Sequence, residues 1–195
     1  IIQQFAAKDS RIVAVKNTGT KGCYAARNFG YNMIRGKYYA IMDSDDISLP
    51  ERLQKEFDFM EQNQEIEVCG SWMQGFGAKE FVLQSETEHE KIRDVNFFNS
   101  PIANPSAIMR ASSLEKQDIY ANCVAEDYEF YSRKIDALKF ANIQEVLLKY
   151  RVHENQIGFA KKKEQDDAAD KVRIRNLDKI GVSLTNAEQK IYLSV

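Results

Sequence analysis

Hydrophobic residues recur along this chain at two spacings, and the switches between them mark its elements. Residues 1–8 read as the end of a helix, and residues 11–15 (Arg-Ile-Val-Ala-Val) as a short strand that stops at Asn17-Thr18-Gly19. From about residue 22 to 35, Ala25, Phe29 and Met33 keep the helical period, with Ala26, Gly30 and Ile34 beside them, and Gly36 ends it. The apolar run at residues 38–42 (Tyr-Tyr-Ala-Ile-Met) predicts a buried strand. Strand, glycine turn, helix and strand make a βαβ unit, which predicts parallel strands with a right-handed crossover.

Further on, residues 50–63 predict a helix with Leu53, Phe57 and Met60 on one face and a start at Ser48-Leu49-Pro50-Glu51. Residues 68–76 read as a strand loosened by Gly70 and Gly75, 88–98 as a helix, and 106–109 as a short strand after Asn104-Pro105. A helix over 125–137 bears Tyr128, Tyr131 and Ile135, and 143–152 alternates as a strand. From Lys161 to Ile180 the chain is charged and helical, then Gly181 precedes a last short helix near Asn186. The fold class expected is α/β: a mixed, mainly parallel sheet flanked by helices, with a C-terminal helical tail. Residues 1–155 form the domain and 156–195 the helical extension. An α/β sheet usually opens on a strand and this sequence opens on a helix remnant, so an N-terminal portion of the domain is expected to lie outside it.

At 195 residues with 44% hydrophobic content, the chain can bury a real core. A net charge of -2 gives no electrostatic case for nucleic acid. No apolar run approaches the roughly 18 residues of a membrane span, and residues 1–9 carry no secretory pattern. Cys23, Cys69 and Cys123 stand far apart in no ligand spacing, and read as reduced thiols of a cytoplasmic protein. The charges of the tail read as a solvated helix face, with peripheral contact at the inner face of the membrane as the second reading.

The chemistry concentrates at Asp43-Ser44-Asp45-Asp46, where the 38–42 strand ends. Three carboxylates in four residues repel one another, and a divalent cation with phosphate oxygens as its other ligands would relieve them. Ligands of open α/β sheets bind at the C-terminal ends of strands. The alternative is an acidic loop capping the next helix. Glu126 and Asp127 open a later helix, where carboxylates also serve simply to offset the positive helix end.

Taken in order, these residues resemble a family. Asn17-Thr18-Gly19, Ala26-Arg27-Asn28-Phe29-Gly30, Gly36-Lys37-Tyr38, the acidic tetrad, Leu49-Pro50-Glu51-Arg52-Leu53 and Gly70-Ser71 look like the donor-binding half of a family 2 glycosyltransferase. Asn104-Pro105-Ser106-Ala107-Ile108-Met109-Arg110, Glu126-Asp127-Tyr128 and Tyr150-Arg151-Val152-His153 resemble its acceptor half and closing strand. The resemblance covers residues 1–153. Its first strand and the turn that follows, which help bind the nucleotide base, have no match here.

The resemblance implies a GT-A fold, a nucleoside-diphosphate sugar as donor (commonly UDP-linked), manganese or magnesium, and inversion at the anomeric carbon. The acceptor is a glycan or lipid-linked hydroxyl, as in bacterial surface polysaccharide synthesis. It implies Asp45 as metal ligand, with Asp43 and His153 as further ligands, and Asp43, Arg27 and Asn28 on the donor. Asp127 is the implied general base with Glu126 beside it. Arg151 is read as reaching phosphate or forming a buried ion pair, the latter preferred. Arg110 is placed near the acceptor and His89 on the surface, while Trp72 and Phe76 are read as core, with an acceptor-stacking platform as the alternative. A non-catalytic module that binds a partner or glycan is the competing function. A nucleotidyltransferase would want a glycine-rich basic loop near the chain start, and none stands there.

Overall fold

The computed structural model describes residues 1–114, 119–154, 156 and 160–194. Six strands are β1 (Tyr38–Ala40), β2 (Ile47–Ser48), β3 (Val68–Gly77), β4 (Phe81–Leu83), β5 (Ile108–Arg110) and β6 (Phe140–Val152). The α-helices among the described residues include α1 (Ile2–Ala6), α2 (Cys23–Tyr31), α3 (Arg52–Gln62), α4 (His89–Val95), α5 (Glu126–Lys134), α6 (Lys162–Lys179) and α7 (Asn186–Tyr192). The strands form one mixed sheet in the order β1-β5-β3-β6-β2, with β4 added to β3.

The long strands β3 and β6 are its spine. They run parallel from Val68 opposite Phe140 to Gly77 opposite Val152, with register shifts around Trp72. Gly77 sits at a positive φ of 96°, and a Cβ there would lie 2.7 Å from the Val152 carbonyl oxygen, so the strand can close against β6 only with glycine. The mixed α/β sheet matches expectation; its emphasis differs. β1, β3 and β6 share a direction, but only β3 and β6 are neighbours, and every other described pairing is antiparallel. The reason is that short β5 returns between β1 and β3, pairing Ile108 with both Ala40 and Cys69.

Residues 11–15 do not become a strand. No described strand lies along them, and Val13 and Val15 stay exposed, so the first half of the expected βαβ unit is not formed. The buried face of α3 also differs from the reading of its pattern. Arg52, Glu56 and Met60 point inward, while Leu53 and Phe57 are 59% and 44% exposed. Positions 52, 56 and 60 share a helix face as well as 53, 57 and 60 do. An Arg–Glu pair that neutralises itself can occupy the inner one. Ser48 lies in β2 rather than capping α3, whose first residue is preceded by Glu51.

The core lies under the sheet, where Val68, Met109, Phe130, Tyr131 and Phe140 pack with Ile92 and Ile102. Against the outer side of α5 lies α6: Val172 joins Ala125 and Tyr128, with Ala168 and Ala169 alongside. A buried polar ladder completes this seam. The Ser132 hydroxyl and the Asn176 amide oxygen stand 2.6 Å apart, Asn176 Nδ2 donates to the Asn96 carbonyl at 2.7 Å, and the Tyr128 hydroxyl donates to that carbonyl at 2.7 Å. Arg175 adds an ion pair to Glu129 at 2.9 Å. The proposed boundary between domain and extension falls on Asn155, outside the described residues.

Candidate functional site

The acidic tetrad hangs between β1 and β2, and three local causes fix it. β1 ends at Ala40, and Ile41 N–H donates to the Ala107 carbonyl at 2.9 Å, so the chain leaves the sheet directly above β5. β2 then pairs with β6, Ile47 opposite Lys149, which draws the tetrad toward the end of β6. There the Arg151 amide donates to Asp46 Oδ1 at 2.8 Å, Arg151 Nε donates to the Asp45 carbonyl at 2.7 Å, and His153 Nε2 lies 3.1 Å from Asp45 Oδ2.

The opposite wall is the N-terminus of α5. Arg27, on α2, joins it to the tetrad: one guanidinium nitrogen pairs with Glu126 and another with Asp43 at 2.9 Å. The guanidinium also lies 5.8 Å from the centre of the Tyr120 ring. The two carboxylates hold Arg27 protonated against its burial, raising its pKa. Its neighbour Asn28 is buried, with its amide exchanging two 2.9 Å hydrogen bonds with the backbone of Tyr120. That imitates one rung of a sheet and locks α2 to the loop before α5.

Burial raises the pKa of several acids here. Glu126 is pushed up to about 7 by burial and the charge of Asp127, against the pull of Arg27. Asp127, partly exposed, is raised by desolvation, against the hydrogen bond its Oδ1 accepts from the Tyr128 amide at 2.8 Å. Asp46 is pushed to about 6 by burial, and its Oδ2 is buried without a partner.

Of the residues singled out by sequence, Arg27, Asp43 and Glu126 meet directly, with Asp127 adjacent to Glu126, and Asp45 meets His153. Asn28 stands behind Arg27, its amide committed to Tyr120. Arg151 forms no buried ion pair. It is exposed, and its guanidinium stacks 4.5 Å from the centre of the Phe76 ring, its β3 register partner. Arg110 is no acceptor-side residue: it is buried under the sheet, donating to the Met60 and Ile66 carbonyls at the end of α3. His89 is half-buried, its Nδ1 accepting from the Phe140 amide at 3.1 Å. Trp72 is anchored by a 3.1 Å hydrogen bond to the Ser85 carbonyl. Sequence reading missed Tyr120, an aromatic whose partner Arg27 lies far along the chain, so no local spacing signals it.

Among the described residues, no three His, Cys, Asp or Glu side chains converge as a ready metal cage. The donor set at Asp45 and His153 is one carboxylate and one imidazole, both partly exposed to solvent. That fits a hard divalent cation that takes only one or two protein ligands and completes its shell with phosphate and water.

Comparison with known proteins bears on the fold and the family. The solved structures of similar fold are GT-A glycosyltransferases. One is Staphylococcus aureus TarS 1–349 in complex with UDP-GlcNAc (TM-score 0.67, 18% identity, 98% of this chain and 57% of that one). Another is the mannosyltransferase PcManGT of Pyrobaculum calidifontis with GDP-Man and Mn2+ (TM-score 0.59, 13% identity, 99% and 54%). The model for glycosyl transferase family 2 matches residues 1–117, and the chain belongs to that family. Curated relatives include the uncharacterized glycosyltransferase MJ1057 of Methanocaldococcus jannaschii, 37% identical over 158 residues (78% of this chain, 54% of the relative). An uncharacterized glycosyltransferase of Haemophilus influenzae is 30% identical over 201 residues (94% and 62%). The Escherichia coli UDP-Glc:alpha-D-GlcNAc-diphosphoundecaprenol beta-1,3-glucosyltransferase WfaP is 26% identical over 169 residues (80% and 62%). The chain thus spans between half and two thirds of the length of these relatives.

Proposed function

We propose that the protein is an inverting glycosyltransferase that moves a sugar from a nucleoside-diphosphate donor, UDP-linked, to a hydroxyl of a glycan or lipid-linked acceptor. The observation that carries this reading is the Arg27 bridge. It brings Asp43 of the tetrad and Glu126 of α5, distant in sequence, to two walls of one cleft. The UDP-GlcNAc of TarS, the GDP-Man of PcManGT, and the UDP-Glc donor and diphosphoundecaprenol-linked acceptor of WfaP support the substrate class.

In this reading Asp45 and His153, with Asp43 on the sugar or ribose side, would hold manganese or magnesium. A bound divalent ion supplies Lewis-acid stabilisation of the leaving diphosphate. The remaining work belongs to side chains. Asp127 takes the acceptor proton at a carboxylate oxygen as the hydroxyl attacks the anomeric carbon. Its raised pKa makes it a stronger base than a solvated aspartate. Arg27 aligns the donor side with Glu126, and on donor entry its guanidinium can pass from Asp43 to a phosphate oxygen. No helix among the described residues is long and apolar enough to cross a membrane. A lipid-linked acceptor is reached, in this reading, by peripheral contact at the cytoplasmic face of the membrane.

The test is UDP release and product formation with UDP-sugars and a diphosphoundecaprenol-linked GlcNAc acceptor, with manganese and again with chelator. Transfer with inverted anomeric configuration, abolished by chelator and by Asp45→Asn, supports the proposal. UDP binding without transfer for any donor tried, unchanged in Asp127→Asn, would instead make the chain a binding module.

A further inference from the structure

Beneath the acidic tetrad lies a second ionic centre that none of the proposed roles uses. Arg52, the first residue of α3, and Glu56 one turn later are 1% and 0% exposed. Arg52 Nε donates to Glu56 Oε1 at 2.7 Å, Nη2 donates to the Ile41 carbonyl at 2.8 Å, and Nη1 lies 3.6 Å from Met42 Sδ. Glu56 Oε2 has no hydrogen-bond partner, and burial pushes this carboxyl up to about 7 despite Arg52.

A pair this deep is an expensive way to stabilise a fold. An apolar pair of similar volume usually does as well or better. What an apolar pair cannot do is donate a hydrogen bond to a backbone carbonyl with the donor's charge balanced on the other side. Here that carbonyl belongs to Ile41, the last residue bonded to the sheet before the tetrad begins. We infer that Arg52 is a positioning residue for the donor site: its guanidinium, neutralised by Glu56, fixes the turn at Ile41–Met42 and so sets where Asp43 and Asp45 point. The geometry is specific to arginine. A planar fork reaches Glu56 with one edge and Ile41 with the other, whereas a lysine ammonium at the end of a single stem serves one or the other. The anchor sits at one end of the tetrad, and Arg151 with β2 holds the other. The carboxylates are thus suspended between two fixed points, with Asp46 buried and Asp43 and Asp45 partly exposed.

The test is hydrogen–deuterium exchange of the full chain, without metal or nucleotide, in Arg52→Gln, Arg52→Lys and Glu56→Gln. Expected in Arg52→Gln and Arg52→Lys is exchange about tenfold or more faster over residues 42–49, the loss of one charge-assisted hydrogen bond's worth of local stability. Residues 68–77 of β3 should keep wild-type exchange. Glu56→Gln leaves the buried guanidinium without its counter-ion, so faster exchange over 42–49 is expected there too, but smaller than in Arg52→Gln because the Ile41 hydrogen bond remains. Unchanged exchange over 42–49 in a folded Arg52→Gln overturns the inference. So does a rise spread equally over β3, or a lysine variant that behaves as wild type. Arg52→Met serves as the second variant if Arg52→Gln does not fold, with the same expectation. A parallel titration of manganese and UDP should show weaker binding in Arg52→Gln. This arm rests on the proposed donor chemistry. If the wild type binds neither, that chemistry fails, while the exchange pattern still decides the role of Arg52.

Discussion

Replacing Arg27 by methionine removes the charge that links the two walls of the cleft while filling much of its volume. Arg27 and Glu126 are 18% and 8% exposed at their side chains, so little water screens them. Two unit charges about 4 Å apart at an effective permittivity of about 20 interact by about 4 kcal/mol. At about 1.4 kcal/mol per pH unit, that bounds the effect on Glu126 at about three units. Water admitted by the smaller side chain halves this, so Glu126 should move from about 7 to between about 8 and 9.

The sign for stability follows from a folded-state pKa that lies above the unfolded value. The contribution of Glu126 is complete below pH 4.5 and is lost as pH rises through the folded value. Its unpaired carboxylate should make the variant's loss of Tm against wild type larger at pH 9 than at pH 6. The assay is carbon NMR titration of selectively labelled glutamate, with Glu126→Gln giving the assignment, alongside melts at the two pH values. Glu126 titrating at or below its wild-type value, or a Tm deficit independent of pH, would refute the electrostatic account of the bridge.

Asp45→Asn and Asp127→Asn should each lower transfer by about 100-fold or more with melting unchanged within a few degrees; normal turnover in either removes that residue from the mechanism. Asn176→Ala strips two hydrogen bonds from the buried seam between α5 and α6. It should cost about 2–4 kcal/mol in urea unfolding, and a loss below about 0.5 kcal/mol would mean that water replaces the amide. Gly70→Ala drives a methyl onto Asn142 Oδ1 and to 3.0 Å from Ile102, so a destabilisation of about 1–3 kcal/mol is expected from the same unfolding measurement. An unchanged midpoint there would mean that Asn142 moves freely.

The elements that sequence reading placed well are those whose pattern is local. α2, β3, α5 and β6 all carry their periodicity within themselves, and each appears within a few residues of its expected span. Residues 11–15 have an equally good strand pattern, but a strand exists only where a neighbour supplies its hydrogen bonds. The same division runs through the site. The tetrad and the Glu126-Asp127 pair stand out as clustered charge. Arg52 looked like one more polar residue beside an apolar stripe, because its partner and its carbonyl declare themselves only after α3 is rotated into place. Arg151 was misread for a related reason: the aromatic ring it rests on comes from β3, and only the β3–β6 register puts Phe76 beneath it.

The seam between α5 and α6 also has a consequence for the order of events in the cell. A chain emerges from the ribosome at about 5–20 residues per second and folds from its N-terminal side first. Every strand of the sheet, and α5 itself, precedes residue 153, yet Ser132, Tyr128 and Asn96 meet Asn176 only after that part of the chain has been made. A nascent chain can therefore complete its sheet while the helix bearing Glu126 and Asp127 is still unclasped on its outer side. The wall proposed to carry the chemistry would thus set only after the sheet it stands on.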